Sequence, residues 1–192
     1  VASLSTAQIA SLTSTDLNAL TTAQMAALST AQVAALSATP QIANLGTDDL
    51  NALGTAQFAA LSTAQVQSLT NNQIVSLESQ DLRALSTNDI RSLSTAQIGA
   101  LSSDQMAQLT TAQVAALNTD QVLTLTSTDL NALGTAQFAS LSAAQASSFT
   151  TAQIVNLQSD DLRALSSASL RAMSTDQIAA LSSDQMGQLT NA

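Results

Sequence analysis

The polar and apolar residues of this chain follow an eight-residue pattern that repeats about twenty-three times. The template is [Ser/Thr/Gly]-[Thr/Ser]-x-[Gln/Asp]-apolar-x-small-Leu, numbered here as positions 1 to 8, and the first complete repeat is residues 5–12. The two large apolar residues, at positions 5 and 8, are three apart. That spacing places them on one face of a helix but on opposite faces of a strand. The pattern therefore predicts one short α-helix per repeat.

The polar positions predict where each helix begins. Position 1 is Ser, Thr, Gly or Asn in nearly every repeat and position 4 is Gln or Asp, which is the spacing of a capping box. Twelve of the thirteen acidic residues lie at positions 3 or 4, where the helix dipole favours negative charge, and Glu78 at position 1 is the exception. The regular position-4 side chain is compatible both with capping and with a ladder of hydrogen bonds between stacked helices.

A single continuous helix does not fit the repeat. Eight residues at ~100° each advance ~800°, about 80° beyond two turns, so the leucines would wind around the rod. The chain must therefore break once per repeat, into helices of about seven residues in which position 1 ends one helix and caps the next. Helices this short are unstable alone, so neighbouring repeats must share one core. The predicted fold is an all-α solenoid, or superhelix, of very short helices, one per octapeptide repeat.

The domain organisation follows from the repeat. Residues 1–192 are predicted to form a single solenoid that is a segment of a longer array or stacks end to end, because the chain starts and stops inside a repeat without atypical end units. Residues 46–109 match residues 126–189 at 42 of 64 positions, which defines a higher-order block of 80 residues. Either this block sets marked residues at fixed intervals along a surface, or it records a duplication without geometric meaning.

Two repeats depart from the template in informative ways. Residues 37–45 carry one extra residue and Pro40, which suits the first turn of a helix and predicts a locally widened turn. In the repeat 142–149, Ala146 is unusually small at position 5 and Phe149 unusually large at position 8. Because the total volume is conserved, the pair indicates a close-packed interior.

Composition narrows the function by exclusion. The net charge is −9, with four Arg and no His. Binding to nucleic acid or to an anionic membrane surface requires several cationic side chains. No nucleic-acid partner is therefore predicted. No run approaches eighteen consecutive apolar residues, which argues against membrane insertion. The chain has no Cys, His or Tyr and no phosphate-binding glycine loop. We therefore predict no enzymatic activity, no cofactor and no metal.

Two sets of charged residues are candidate sites. One set shares position 6 in adjacent repeats and recurs at the 80-residue offset: Arg83, Arg91, Arg163 and Arg171. Each pair could clamp an anion, or the arginines could form salt bridges with nearby acids such as Asp81, Asp89 and Asp161, or stay solvated. The other set consists of the acidic pairs Asp48–Asp49 and Asp160–Asp161. Calcium needs six to eight oxygens, usually from a tight Gly-bearing loop, so we expect these pairs to serve the helix dipole instead.

The phrases LSTAQIASL (4–12), LTTAQMAALSTAQVAAL (20–36) and LSTAQIGAL (93–101) resemble the octapeptide-repeat tracts of very large secreted or surface-attached bacterial proteins. The resemblance implies an extended spacer or adhesive stalk, located outside the cell or at its surface. We therefore expect a non-catalytic structural repeat region that acts as a spacer, a stalk or a self-associating segment, with end-to-end contact between copies. Two alternatives stay open: a module that binds a peptide or protein, and ice or glycan binding through regularly spaced Thr and Ser. The sequence identifies no particular protein or glycan partner.

Overall fold

The computed structural model describes residues 1–189, in which short helices follow one another at eight-residue intervals. The chain divides into two compact units, Val1–Ala100 and Leu101–Ala192. The last three residues of the final partial repeat lie outside the described residues.

The helices of the first unit are α1 (Thr6–Ala10), α2 (Ser14–Asn18), α3 (Thr22–Ala26), α4 (Thr30–Ala34), α5 (Thr47–Asn51), α6 (Thr55–Ala59), α7 (Thr63–Gln67), α8 (Asn71–Ser76), α9 (Ser79–Ala84), α10 (Thr87–Ser92) and α11 (Thr95–Ile98), with a 3₁₀ helix at Ile42–Asn44. Those of the second unit are α12 (Ser103–Gln108), α13 (Thr111–Ala116), α14 (Thr119–Thr124), α15 (Ser127–Ala132), α16 (Thr135–Ala139), α17 (Ala143–Ser148), α18 (Thr151–Val155), α19 (Ser159–Ala164), α20 (Ser167–Ala172), α21 (Thr175–Ala179) and α22 (Ser183–Leu189). No strand occurs in residues 1–189.

Within each unit, helices three repeats apart pack against each other, as α6 does on α9 and α17 on α20. Side-chain hydrogen bonds give the period: Gln73 Nε2 donates to the carbonyl oxygen of Leu45, 28 residues earlier, at 2.8 Å. Gln73 and Leu45 belong to repeats that are four apart, so one circuit of the chain, which we call one coil of the solenoid, comprises between three and four repeats. The predicted all-α repeat solenoid is confirmed, and its coil length is a new result.

The helices begin where the capping pattern predicts. In α7, Ser62 Oγ accepts the backbone N–H of Gln65 at 3.3 Å, and Gln65 Oε1 accepts the N–H of Ser62 at 2.7 Å. At the N-cap Gly54 the second bond remains, from Gly54 N to Gln57 Oε1 at 2.9 Å. In the repeats that carry this pair of residues, capping therefore sets the helix start through residues three apart in sequence.

The helices are shorter than predicted, because they contain four to seven residues and most contain five or six. Position 1 does not end a helix. In the six-residue helix α13 the chain is already extended at Leu117, position 8, with φ −56° and ψ 136°. The N–H of Leu117 reaches only the carbonyl oxygen three residues back, that of Val114, at 3.2 Å. The backbone must leave the helix at this point, because Leu117 is buried and the next residue is an extended N-cap.

The core consists of the residues at positions 5 and 8. Val66 and Leu69 of α7 and its exit turn are both buried, and the same two positions are buried through the middle of each unit. Leu4 and Met186, in the first and last described repeats, are more than a third exposed. Each fully buried side chain of this size contributes about 1.5–3 kcal/mol, which stabilises helices that are too short to persist alone.

The pair Ala146 and Phe149 provides a test of core packing, since both side chains are buried. We expect Ala146→Ile alone to lower the free energy of unfolding by ~1–3 kcal/mol through overpacking. Phe149→Leu alone is expected to cost about 1 kcal/mol by opening a small cavity. The double variant is expected to return to within ~1 kcal/mol of the parent because total volume is restored. Denaturant melts of the four proteins check this, and strictly additive losses would show that the two side chains do not share space.

The repeat at residues 37–45 contains the widened turn that the extra residue predicts. Ile42 N donates to the carbonyl oxygen of Ser37, five residues back, at 3.0 Å. Pro40 lies before the 3₁₀ helix and not in the first turn of an α-helix, which corrects that placement. The reason is that the extra residue enters the capping turn, where the bond from Ser37 N to Gln41 Oε1 spans four residues instead of three.

Candidate functional site

The most regular polar feature of the structure is a set of glutamines at position 4, each no more than 6% exposed. We call this set the glutamine ladder: Gln32, Gln41, Gln65, Gln73, Gln97, Gln105, Gln113, Gln121, Gln137, Gln145, Gln153, Gln177 and Gln185.

Ladder amides such as Gln145 have two roles. Gln145 Oε1 accepts the N–H of Ser142 at 2.8 Å, which caps α17. Its Nε2 donates to the carbonyl oxygens of Val114 and Leu117 in the preceding coil, at 2.9 and 2.8 Å. The same pair of carbonyl contacts is made by Gln65, Gln73, Gln153 and Gln185.

Capping and inter-coil bonding, the two roles predicted for position 4, are therefore combined in one side chain. The acceptors are backbone carbonyls of the last turn of a helix in the preceding coil, which helix geometry leaves open. Because the amide both accepts and donates, burial leaves neither of its polar atoms without a partner. An amide suits this position better than any side chain that can only accept.

A second set of contacts between coils comes from asparagine at position 6 of the DLN repeats. Asn131 Nδ2 donates to the carbonyl oxygen of Asn156 at 2.8 Å, and its Oδ1 accepts the N–H of Gln158 at 3.1 Å. Asn18 makes the corresponding pair with Asn44 and Gly46, both at 2.9 Å. We call these contacts asparagine bridges.

Asn51 forms half of such a bridge. Its Nδ2 donates to the carbonyl oxygen of Ser76 at 2.8 Å, while its Oδ1 is buried without a partner. The bridges were not predicted from the sequence. The signal was the recurrent DLNAL motif, but the motif names no partner, and the partners lie 25 to 28 residues further along the chain.

Shorter side chains at position 4 also reach the preceding coil. Asp129 accepts the N–H and the hydroxyl of Thr126 at 3.0 and 2.6 Å, and its other oxygen accepts the hydroxyl of Ser103 at 3.1 Å. Ser169 Oγ donates to the carbonyl oxygen of Leu141, 28 residues earlier, at 3.0 Å. An acceptor at this position therefore needs hydroxyl groups around it, and a short donor can use the same carbonyl as glutamine.

Asp81 and Asp161 occupy position 4 without such partners. They are 1% and 5% exposed, and Asp81 Oδ1 and Asp161 Oδ2 have no hydrogen-bond partner. The N-caps of their helices are Glu78 and Gln158, which have no hydroxyl and make no side-chain cap bond. The N–H of Gln158 is instead bonded to Asn131 through the asparagine bridge.

Both carboxyl groups hold their protons more strongly than usual. Burial, followed by the charge of Glu78, raises the pKa of Asp81 to about 6. Burial, followed by the charge of Asp160, raises the pKa of Asp161 to about 6. Burial also raises the pKa of Asp49, whose N-cap N–H is likewise taken by an asparagine bridge. In all three cases burial is the larger cause of the raised pKa and a neighbouring carboxylate is the second.

The four arginines singled out in the sequence are exposed and lie in the last turns of α9, α10, α19 and α20, where the helix dipole favours positive charge. Arg163 Nη1 is 3.8 Å from Asp160 Oδ1. This ion pair is exposed, so it contributes little to stability. The partner is Asp160, at position 3, and not Asp161, because position 4 faces the preceding coil. Anion binding by Arg83, Arg91, Arg163 and Arg171 stays a prediction.

The acidic pairs are each split between two environments. Asp160 is exposed and Asp161 buried, while Asp48 is exposed and Asp49 half-buried. Among residues 1–189, no three side chains of the metal-ligating types come together. In the same described residues, no helix has the length and apolar character needed to cross a membrane.

These features define a class of protein: a tandem-repeat solenoid whose short helices share a core within each unit and are joined by side-chain to backbone hydrogen bonds. The chain belongs to the ALTTAQ repeat family, whose model matches residues 1–30, 11–47, 42–77, 74–111, 124–159 and 154–191. No curated protein matches it. The family match confirms the predicted tandem repeat, whereas an origin in a large secreted or surface-attached bacterial protein stays a prediction.

Proposed function

We propose that this chain is a non-catalytic structural repeat region that acts as a spacer or stalk within a larger protein of the cell surface or the extracellular space. The surface location rests on the resemblance of its repeats to such tracts. The structural role rests on the architecture of each unit.

The observation that carries the proposal is the glutamine ladder. Gln145 and Gln153, in successive repeats, each bond the preceding coil through two carbonyl oxygens 28 and 31 residues earlier. Every added repeat can therefore reuse the same contacts, so length can grow without a new type of interface. A spacer needs this property, and an enzyme or a shaped binding site does not.

The exterior supports the same function. Position 6 and the polar positions 2 and 3 carry mainly Ser, Thr, Ala and Asn. Binding interfaces concentrate their energy in aromatic and arginine anchors, and this chain has three Phe, no Trp, no Tyr and four Arg. Two of the phenylalanines, Phe58 and Phe138, are completely buried.

The test is to lengthen the chain. Versions carrying one or two extra tandem copies of residues 46–125, inserted after residue 125 in the repeat register, are measured by small-angle X-ray scattering beside the parent. We expect the largest dimension to increase by the same increment with each copy. A largest dimension that stays constant while mass grows would contradict the spacer role.

The same samples test the other functions. A dilution series reports self-association, because end-to-end contact lengthens the particle as concentration rises. A glycan array and a peptide pull-down on the parent report binding. A saturable partner in either assay would favour a binding module over a spacer.

A further inference from the structure

Asp161 places a carboxyl group where the glutamine ladder requires a donor. A ladder glutamine accepts a hydrogen bond with Oε1 and donates two with Nε2, whereas an ionised carboxyl group only accepts. Asp161 is 5% exposed and its Oδ2 has no partner. Asp81 repeats this arrangement in the first unit, with Oδ1 unpartnered and the residue 1% exposed.

The carbonyl of the preceding coil is within reach of a short side chain. Ser169, also at position 4, donates its hydroxyl to the carbonyl oxygen of Leu141, 28 residues earlier, at 3.0 Å. In the same register the carbonyl for Asp161 belongs to Leu133, and the one for Asp81 belongs to Leu53. An aspartic acid O–H extends further from the backbone than a serine O–H. A protonated Asp161 can therefore make the contact that Ser169 makes.

The usual partners of an ionised position-4 aspartate are absent around Asp161 Oδ2. Asp129 accepts from the N–H and hydroxyl of its N-cap Thr126 and from Ser103. The N-cap of α19 is Gln158, which has no hydroxyl and gives its N–H to Asn131. The asparagine bridge thus removes a hydrogen bond that would stabilise the ionised carboxylate.

We propose that Asp161 and Asp81 are proton-dependent members of the ladder: in the acid form each donates a hydrogen bond to a backbone carbonyl of the preceding coil, and loss of the proton removes that bond and weakens the stacking of coils. The proposal concerns the stability of each solenoid unit, so it holds or fails separately from the spacer role.

The charged residues near the two carboxyl groups lie on their own helices and on the helices that are adjacent to or packed against them. Around Asp161, α19 itself carries Asp160 and Arg163, and the following α20 carries Arg171. Asp184 lies on α22, which packs against α19, and Asp129 lies on α15, which the asparagine bridge joins to this repeat. The packed helix α16 carries no charged residue. For Asp81 the charged residues are Glu78 and Arg83 beside and on α9, Asp89 and Arg91 on α10, and Asp48 and Asp49 on the bridged α5, while α6 carries none. Burial and the nearest of these carboxylates raise both pKa values to about 6.

The direction of the effect follows from linkage. An unfolded aspartate titrates near 3.8, so between that value and about 6 the folded chain holds protons that the unfolded chain has lost. The free energy of unfolding therefore falls as the pH rises through about 6 and levels off above it. Between about pH 5 and about pH 7.5 each carboxyl group is expected to lower the folding equilibrium constant about tenfold.

The experiment compares denaturant unfolding of the full chain at these two pH values with that of D81N/D161N. Asparagine has the size of aspartate and carries a donor at every pH. We expect the parent to lose stability at the higher pH and the double variant to lose that pH dependence. The matched control, Asp129→Asn, alters a position-4 aspartate whose oxygens have partners, and it is expected to keep the pH dependence of the parent.

Two further measurements on the parent keep the test independent of variant folding. Carbon-13 NMR titration of the Asp161 carboxyl group is expected to give a midpoint near 6, and a midpoint below about 4 overturns the proposal. Calcium chloride at about pH 7.5 is expected to leave the denaturant midpoint unchanged. Recovery of stability with calcium would show that a cation, and not a proton, fills the position. An unaltered pH dependence in D81N/D161N would also overturn it.

Discussion

Replacement of Gln65 by Glu is expected to lower the free energy of unfolding by ~3–5 kcal/mol at neutral pH, because it buries a charge that has lost its partners. Gln65 Nε2 donates to the carbonyl oxygens of Val33 and Leu36, each at 2.8 Å. In the variant a carboxylate oxygen would face these two oxygens at the same distance, with no proton between them. Partial recovery is expected near pH 5, where the protonated acid can again donate.

The control for this variant is Gln24→Glu. Gln24 accepts the N–H of Thr21 at 2.8 Å, as Gln65 accepts that of Ser62, but its side chain is exposed. Glutamate is a good capping-box residue, so the change is expected to stay within ~0.5 kcal/mol. Urea melts of both variants measure the difference. Equal losses would mean that capping, and not the bond to the preceding coil, is what position 4 contributes.

Truncation of Phe138 to alanine is expected to cost ~3–5 kcal/mol, through lost burial and the cavity left behind. Phe138 lies at position 5 of α16 and is completely buried. The cost should be large for a chain of this size because each helix depends on its neighbours for stability.

Leu123→Ala is the matched control, since Leu123 lies at position 6 of α14 and is 46% exposed. We expect its effect to stay within ~0.5 kcal/mol. Thermal and urea melts followed by circular dichroism compare the two. A small loss for Phe138→Ala would contradict a shared, close-packed core.

The sequence allowed prediction of the local features of the fold, which depend on residues within one repeat. The helix start at Ser62 depends on Gln65, three residues away, and the burial of Val66 and Leu69 depends on their spacing. The helix end could not be predicted in this way, because position 8 leaves the helix to enter a core formed by other coils. The coil length of between three and four repeats depends on how helices pack, and no residue type encodes it.

The candidate site divides in the same manner. The ladder was predictable because glutamine recurs at position 4. Asp81 and Asp89 both occupy that position, yet Asp89 accepts from Ser86 and Thr63, while Asp81 keeps an unpartnered oxygen. Their difference depends on the N-cap, Ser86 in one repeat and Glu78 in the other, and on the chain about 26 residues earlier. Glu78 was recognisable in the sequence as an exception at position 1. Its effect on Asp81 could not be predicted, because it depends on which residues of the preceding coil lie nearby.

The extra residue beside Pro40 has a consequence for how such chains change length. Gln57 and Gln65 reach back 29 residues to Leu28 and Leu36, whereas Gln73 reaches back 28 to Leu45. The extra residue thus changes the spacing of these hydrogen bonds only where the chain between donor and acceptor includes it. The glutamines beyond that point bond their acceptors at the regular spacing of 28 residues. A single inserted residue in the turn before a helix is therefore compatible with continued stacking, and the length of such a chain need not change in multiples of eight.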